Sequence, residues 1–188
     1  MTKKLNEDIK KFPQVFPITD DMKLSFDGIS RLIMLDRYAF KDTKKETLSI
    51  GDTVVLTVKN DPKFPARGIG IVKAIEGRKI MVKLDEAYVS YANGDGGIFT
   101  QDIAFVDKPL EIYYEQIAKR NAHGLAAVEK DVEVRERVER EFYEELSQLN
   151  FIPGGRVIYG AGSETDVTFF NCFVMPFPQD SREGIGKH

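Results

Sequence analysis

Gly68-Ile69-Gly70-Ile71-Val72-Lys73-Ala74-Ile75, then Glu76-Gly77-Arg78-Lys79, then Ile80-Met81-Val82-Lys83-Leu84 is the stretch on which the fold turns. Two β-branched runs flank a four-residue link that contains glycine. That arrangement predicts a pair of strands joined by a tight hairpin turn. Working backward, Gly51-Asp52 introduces Thr53-Val54-Val55-Leu56-Thr57-Val58, a further strand, and Asn60-Asp61-Pro62 with Phe64-Pro65 makes an irregular connection. Working forward, Asn93-Gly94-Asp95-Gly96-Gly97 reads as a flexible loop and Ile103-Ala104-Phe105-Val106 closes the set. Short strands with turns at these intervals predict a small barrel-like, β-rich unit over residues 23–106.

A change of period follows. Asp107 is placed to cap a helix and Pro109 to sit in its first turn. Leu110, Tyr113, Tyr114 and Ile117 fall at i, i+3, i+4 and i+7, one buried helical face, and His123-Gly124 is a natural stop. Residues 128–149 predict a second helix with Val134, Val138, Phe142, Leu146 and Leu149 as its apolar stripe, ended by Asn150 and Pro153. Residues 107–150 thus form a helical segment, and the fold class is α+β. At the front, Phe12-Pro13-Gln14-Val15-Phe16-Pro17 fixes extended geometry, so residues 1–22 read as an extended arm. Residues 25–38 fit a helix capped by Asp27 or Ser25, or a strand through Leu32 to Leu35, and both readings stay open.

The chain has 188 residues, 42% hydrophobic and 30% charged, which is globular composition. No apolar run approaches the roughly 20 residues that a membrane-spanning helix needs. Met1-Thr2-Lys3-Lys4-Leu5-Asn6-Glu7-Asp8 lacks the apolar region of a secretory signal. A single cysteine forms no internal disulfide, which fits a reducing, cytoplasmic setting. A net charge of −3 gives no general attraction to nucleic acid. The sequence stops at Gly184-Ile185-Gly186-Lys187-His188, just after its most motif-like stretch, and is expected to be the front piece of a longer protein.

Several stretches carry chemistry worth weighing. Lys59, Lys63, Arg67, Arg78, Lys79 and Lys83, with Phe64, Tyr88 and Tyr91, allow a stand-alone β-barrel module that binds nucleic acid or a protein partner. Asp61, Glu76, Asp85, Glu86 and Asp95 dilute that charge, so a solvated surface is the plainer reading. His123, His188 and Cys172 are too far apart for a zinc spacing. Gly154-Gly155-Arg156-Val157-Ile158-Tyr159-Gly160-Ala161-Gly162 lacks both the Lys-Ser/Thr of a phosphate loop and the dinucleotide fingerprint. It indicates only that main chain comes close to something. Cys172, within Phe169-Phe170-Asn171-Cys172-Phe173-Val174, reads by itself as a buried small hydrophobe in a strand.

The order of these motifs changes the reading. Phe151-Ile152-Pro153-Gly154-Gly155-Arg156-Val157-Ile158-Tyr159-Gly160-Ala161-Gly162, then Phe170-Asn171-Cys172-Phe173-Val174, then Asp180-Ser181-Arg182-Glu183-Gly184-Ile185 resembles the opening of the catalytic barrel of ribonucleotide reductases. The adenosylcobalamin-dependent (class II) enzymes are the nearest in pattern. Phe12 to Pro17, Arg31 to Asp42 and Leu110 to Asn121 resemble the N-terminal region of a bacillus-type subgroup. The resemblance covers nearly the whole chain, strongest after residue 150 and weakest through 70–105.

The resemblance implies that residues 151–188 begin an incomplete ten-stranded α/β barrel. There a thiyl radical removes the 3′ hydrogen of a ribonucleotide, and two further cysteines supply electrons as the 2′ hydroxyl leaves. Cys172 matches the first of that reducing pair. Asn171 and the main chain at Gly154 and Gly155 match substrate contacts. The family often carries Ser or Thr at those glycines, so main-chain amides would replace a hydroxyl. Asp180, Ser181 and Arg182 match the start of the site for a deoxynucleotide effector, where a carboxylate accepts from a sugar hydroxyl. The implied partners are a thioredoxin-like reductant and a second copy of the chain. The radical cysteine, the adenosylcobalamin site and the other reducing cysteines have no matching residue, so this piece by itself is expected to be inactive.

Overall fold

The computed structural model describes residues 2–23, 26–92, 96–172, 174 and 176–187. Ser25, Asn93-Gly94-Asp95, Phe173 and His188, all named in the sequence reading, lie outside the described residues.

Six strands make one antiparallel sheet: β1 (Lys41–Asp42), β2 (Thr53–Lys59), β3 (Ala66–Glu76), β4 (Lys79–Leu84), β5 (Ile98–Asp102) and β6 (Val106–Pro109). Their order across the sheet is β1-β6-β2-β3-β4-β5. The hairpin that opened the sequence reading forms as expected. Glu76 pairs with Lys79, and Gly77 takes the positive φ of +60° that the tight turn demands. The sheet is strongly curled. β5 returns toward β2, and the Gln101 side-chain amide donates to the Thr57 carbonyl at 2.7 Å. Backbone pairing leaves β1 and β5 as edges, so the barrel is approached rather than closed.

The helices are α1 (Thr2–Ile9), α2 (Gly28–Ile33), α3 (Tyr114–Ala126), α4 (Val132–Ser147), α5 (Gly155–Gly160) and α6 (Arg182–Gly186). A π-helical turn, Met34–Tyr38, extends α2, which settles residues 28–38 as helical. One core joins sheet and helices: Val54, Val55, Leu56, Ile69, Val72, Ile80, Val82 and Val106 meet Leu32, Leu35, Ile117, Ala118, Ala122, Leu146 and Ile158. Burying a side chain of this size contributes about 1.5–3 kcal/mol, so this cluster is the main source of stability.

The front of the chain is not a simple extended arm. Thr2–Ile9 is a helix whose Leu5 and Ile9, four residues apart, pack with Val15, Ile18, Met22, Leu110 and Ile112 in a second core. Asn6 pins the arm behind it, accepting from the Ile18 amide at 2.8 Å and donating to its carbonyl at 3.1 Å. Lys108, fully buried on β6, holds Asp8 of α1 at 2.8 Å and Asp52 at 2.9 Å. The prolines act as expected, since no helix crosses residues 12–17.

Three further expectations need correction. Asp107 and Pro109 do not start a helix; they lie on β6, opposite Val55 and Lys41. The Asp107 carboxylate is taken by Arg67, which also holds Asp36, so it is not free to cap. Helix α3 starts four residues after the sheet instead, where the Gln116 side-chain oxygen accepts from the amides of Ile112 and Tyr113. Ile103–Phe105 is a 3-10 turn rather than a strand, fixed by Ala104 N donating to Asp102 at 2.8 Å. Helix α4 is capped by Asp131, and of its predicted stripe only Leu146 is buried while Phe142 is 40% exposed.

Asp42, buried on β1, accepts from the Thr47 amide at 2.7 Å and hydroxyl at 2.8 Å. Burial pushes its carboxyl up, but the donors around Thr47 outweigh that and hold it below the usual carboxylate range. A lowered folded-state value means the stabilisation is complete above the ordinary carboxylate range and is lost as pH falls below about 4. Asp42→Asn is therefore expected to lower stability at neutral pH by about 1 kcal/mol and to flatten the acid limb of the unfolding curve. Thermal melts between pH 3 and 7 check this; an unchanged acid limb would contradict it.

Candidate functional site

The glycine-rich segment folds into α5, a six-residue helix entered at Gly154 and left at Ala161. The Gly154 carbonyl accepts from Val157 at 2.9 Å and Ile158 at 3.1 Å, so Gly154 and Ile158 belong to one rigid turn. The chain then runs out past Gly160, with Val167 and Phe169 against that glycine, and returns to bring Asn171 onto Gly154. A Cβ on Gly154 would lie 2.2 Å from the Asn171 amide nitrogen, so no larger residue fits here while Asn171 stays in place. At Gly155 the nearest side chain is Tyr38, from the end of the π-helical turn, with its hydroxyl 3.3 Å from where a Cβ would stand. The structure therefore unites Gly154 and Asn171 and adds Tyr38 beside Gly155.

Cys172 follows Asn171 as a free, exposed thiol. The expected strand around it is absent among the described residues: Phe169, Phe170, Asn171, Cys172 and Val174 are exposed and in no ladder. The physical reason is simple. A barrel strand needs neighbours on both sides for its amides and carbonyls, and none of the six strands of this chain is beside it. The buried reading of Cys172 is corrected with it. Asp180, Ser181 and Arg182 form a separate, exposed turn in which Ser181 caps α6, its hydroxyl accepting from the Gly184 amide at 3.0 Å.

Behind α5 lies a set of residues that the sequence reading missed. Arg120 of α3 is buried and makes a two-pronged ion pair with buried Glu111, Nε to Oε1 at 2.7 Å and Nη2 to Oε2 at 3.1 Å. Its Nη1 donates to the carbonyls of Ala161 at 2.8 Å and of Ile158 and Tyr159 at 3.3 Å. Its Nη2 also reaches the Tyr38 carbonyl at 3.1 Å. Asn121 adds a bond to the Ile158 carbonyl at 3.0 Å. Gly124, inside α3, sits so close to the chain that its Cβ would be 2.0 Å from the Gly162 amide nitrogen. The signal was periodic: 113, 117, 120 and 124 continue one helical face, so a charge at 120 had to be inside.

The sheet offers little as a nucleic-acid surface. Lys59 pairs with Asp61, Arg67 with Asp36 and Asp107, and Arg78 with Asp102, so much of the basic set is already neutralised. No group of three or more metal-binding side chains gathers among the described residues. No helix among them is long and apolar enough to cross a membrane.

Residues 103–166, about a third of the chain, match the family model of the ribonucleotide reductase all-alpha domain. The matched span takes in α3, α4 and α5, and with them the Arg120 cluster and the Gly154 turn. Neither the comparison with curated proteins nor that with solved structures finds a match.

Proposed function

We propose that this chain is the N-terminal region of a ribonucleotide reductase of the adenosylcobalamin-dependent kind, acting in the cytoplasm on ribonucleotides. The observation that carries the reading is the family match over residues 103–166, whose final element holds Gly154 against Asn171, two positions expected to meet the substrate. In this reading the Gly154 and Gly155 main chain and the Asn171 amide bind the ribonucleotide, and Cys172 is one of two thiols that are oxidised to a disulfide. The two electrons and two protons released go to the substrate, whose 2′ hydroxyl leaves as water and is replaced by hydrogen. A thioredoxin-like dithiol would return the disulfide to thiols.

Exposure of Cys172 supports a thiol that meets substrate and partner cysteine rather than one filling a core. The cavities described among these residues, of about 210 to 310 Å³, are far smaller than the corrinoid. The cofactor, the radical cysteine and the second reducing thiol are therefore assigned to residues outside this chain, and association of two copies is part of the same proposal.

The test uses the full-length gene product. It should reduce a ribonucleotide when adenosylcobalamin and a dithiol are supplied, and lack of turnover with every ribonucleotide di- and triphosphate would overturn the reading. Asp180, Ser181 and Arg182 lie on an exposed turn, as an effector contact needs. Asp180→Ala is expected to blunt the effect of deoxynucleotides on substrate choice more than the basal rate, measured by reduction of paired substrates. An unaltered effector response would remove Asp180 from that role.

A further inference from the structure

We propose that Arg120 is a positioning residue: its guanidinium fixes the main chain from Ile158 to Ala161 and thereby sets the Gly154–Gly155 turn that binds the ribonucleotide. The inference rests on the functional reading above for the nature of the ligand, but its geometry stands apart from it. Three carbonyls of one short segment converge on a single nitrogen, Nη1 of Arg120. The other side of the same guanidinium is braced by Glu111, whose Oε2 also accepts from the Phe40 amide at 2.8 Å. The plane of the group is thus fixed by one carboxylate, and the carbonyls are fixed by the plane.

A buried charge is a costly way to hold a helix against a loop. An apolar pair of similar volume often serves stability as well or better. What a guanidinium adds is direction, because its donors leave one rigid plane at set angles, and a lysine ammonium has no such fork. Asn121 on the same face and the Gly124–Gly162 contact one turn on serve the same end. The Gly154 carbonyl, bonded to the amides of Val157 and Ile158, passes that fixed geometry to the binding turn. Main-chain amides that hold the ribonucleotide lose binding contacts when the turn shifts even slightly.

The test compares Arg120→Lys with Glu111→Gln in the full-length protein. Lysine keeps the charge beside Glu111 but releases most of the carbonyls; glutamine removes the brace's charge but leaves Arg120 and its carbonyl contacts. Arg120→Lys is expected to raise KM for the ribonucleotide about tenfold with kcat within about twofold, and to speed amide hydrogen exchange at residues 157–162. Glu111→Gln, which keeps one oxygen to accept from Arg120 Nε, is expected to lower the melting temperature with a clearly smaller rise in KM than Arg120→Lys. Equal KM rises in the two variants, tracking their melting temperatures, would make Arg120 merely structural and overturn the proposal. Unchanged exchange at 157–162 in Arg120→Lys would overturn it as well. Should the lysine variant fail to fold, the same exchange is read in Arg120→Met/Glu111→Gln, which removes both charges of this pair together, and protection retained there counts against the clamp. A wild-type protein that reduces no ribonucleotide is a separate failure, of the functional reading alone.

Discussion

Cys172→Ser in the full-length protein is expected to abolish ribonucleotide reduction by an external dithiol, a fall of at least about 10³-fold and among the largest effects of any exposed residue here. The argument is one of electron count. Each turnover on the proposed reading draws two electrons from a pair of thiols, and a hydroxyl in place of one thiol has no disulfide to form. Size is almost unchanged, and Cys172 is exposed, so the variant should melt as the wild type does. Nucleotide binding, followed by protection or calorimetry, should persist. Wild-type turnover in the serine variant would remove Cys172 from the chemistry. Loss of turnover together with loss of binding would point to Asn171 and its neighbours instead.

Gly124→Ala is expected to have the largest effect on folding, and its sign is opposite to the general rule. Inside an exposed helix, alanine is better than glycine by about 0.5–1 kcal/mol. Here the new methyl would stand 2.0 Å from the Gly162 amide nitrogen and 2.4 Å from its Cα. Both are main-chain atoms, so no side chain can swing away. Gly162 in turn holds a positive φ of +71°, and its own Cβ would meet the Arg120 carbonyl at 2.2 Å. Helix and segment must separate, and the contacts of Arg120 and Asn121 with Ile158 go with them. A loss of about 3 kcal/mol or more is expected in chemical denaturation. A variant as stable as wild type would mean that α3 and the segment after α5 lie farther apart than described.

Local chemistry made the β3–β4 hairpin and the presence of α4 readable in the sequence, while the start of α4, drawn at residue 128, lies at Val132. Val72 pairs with Val82 and Ile75 with Ile80 across a glycine turn, and the Asp131 carboxylate accepts from the Val134 amide at the head of α4. Asp107 was expected to cap a helix by local logic, yet Arg67, 40 residues earlier, takes its carboxylate. That contact depends on how β2, β3 and β6 are ordered, which no window of sequence contains. Arg120 was missed for a related reason. Charge suggests solvent, and only its place on the face of Ile117 and Gly124 says otherwise. Of the candidate site, the residue types at Gly154, Asn171 and Cys172 were legible, and the approach of Asn171 to Gly154 was not. The strand drawn through Cys172 assumed neighbours that are absent among the described residues.

The burial of Lys108 between Asp8 and Asp52 has a practical side. The first nine residues are polar and easily taken for a dispensable leader, a natural place to trim or to attach a tag. Trimming them would strip one of two carboxylates from an ammonium that has no route to water, and would bare Leu110 and Ile112, which pack under α1. Preparations of this protein should keep Thr2–Ile9 intact.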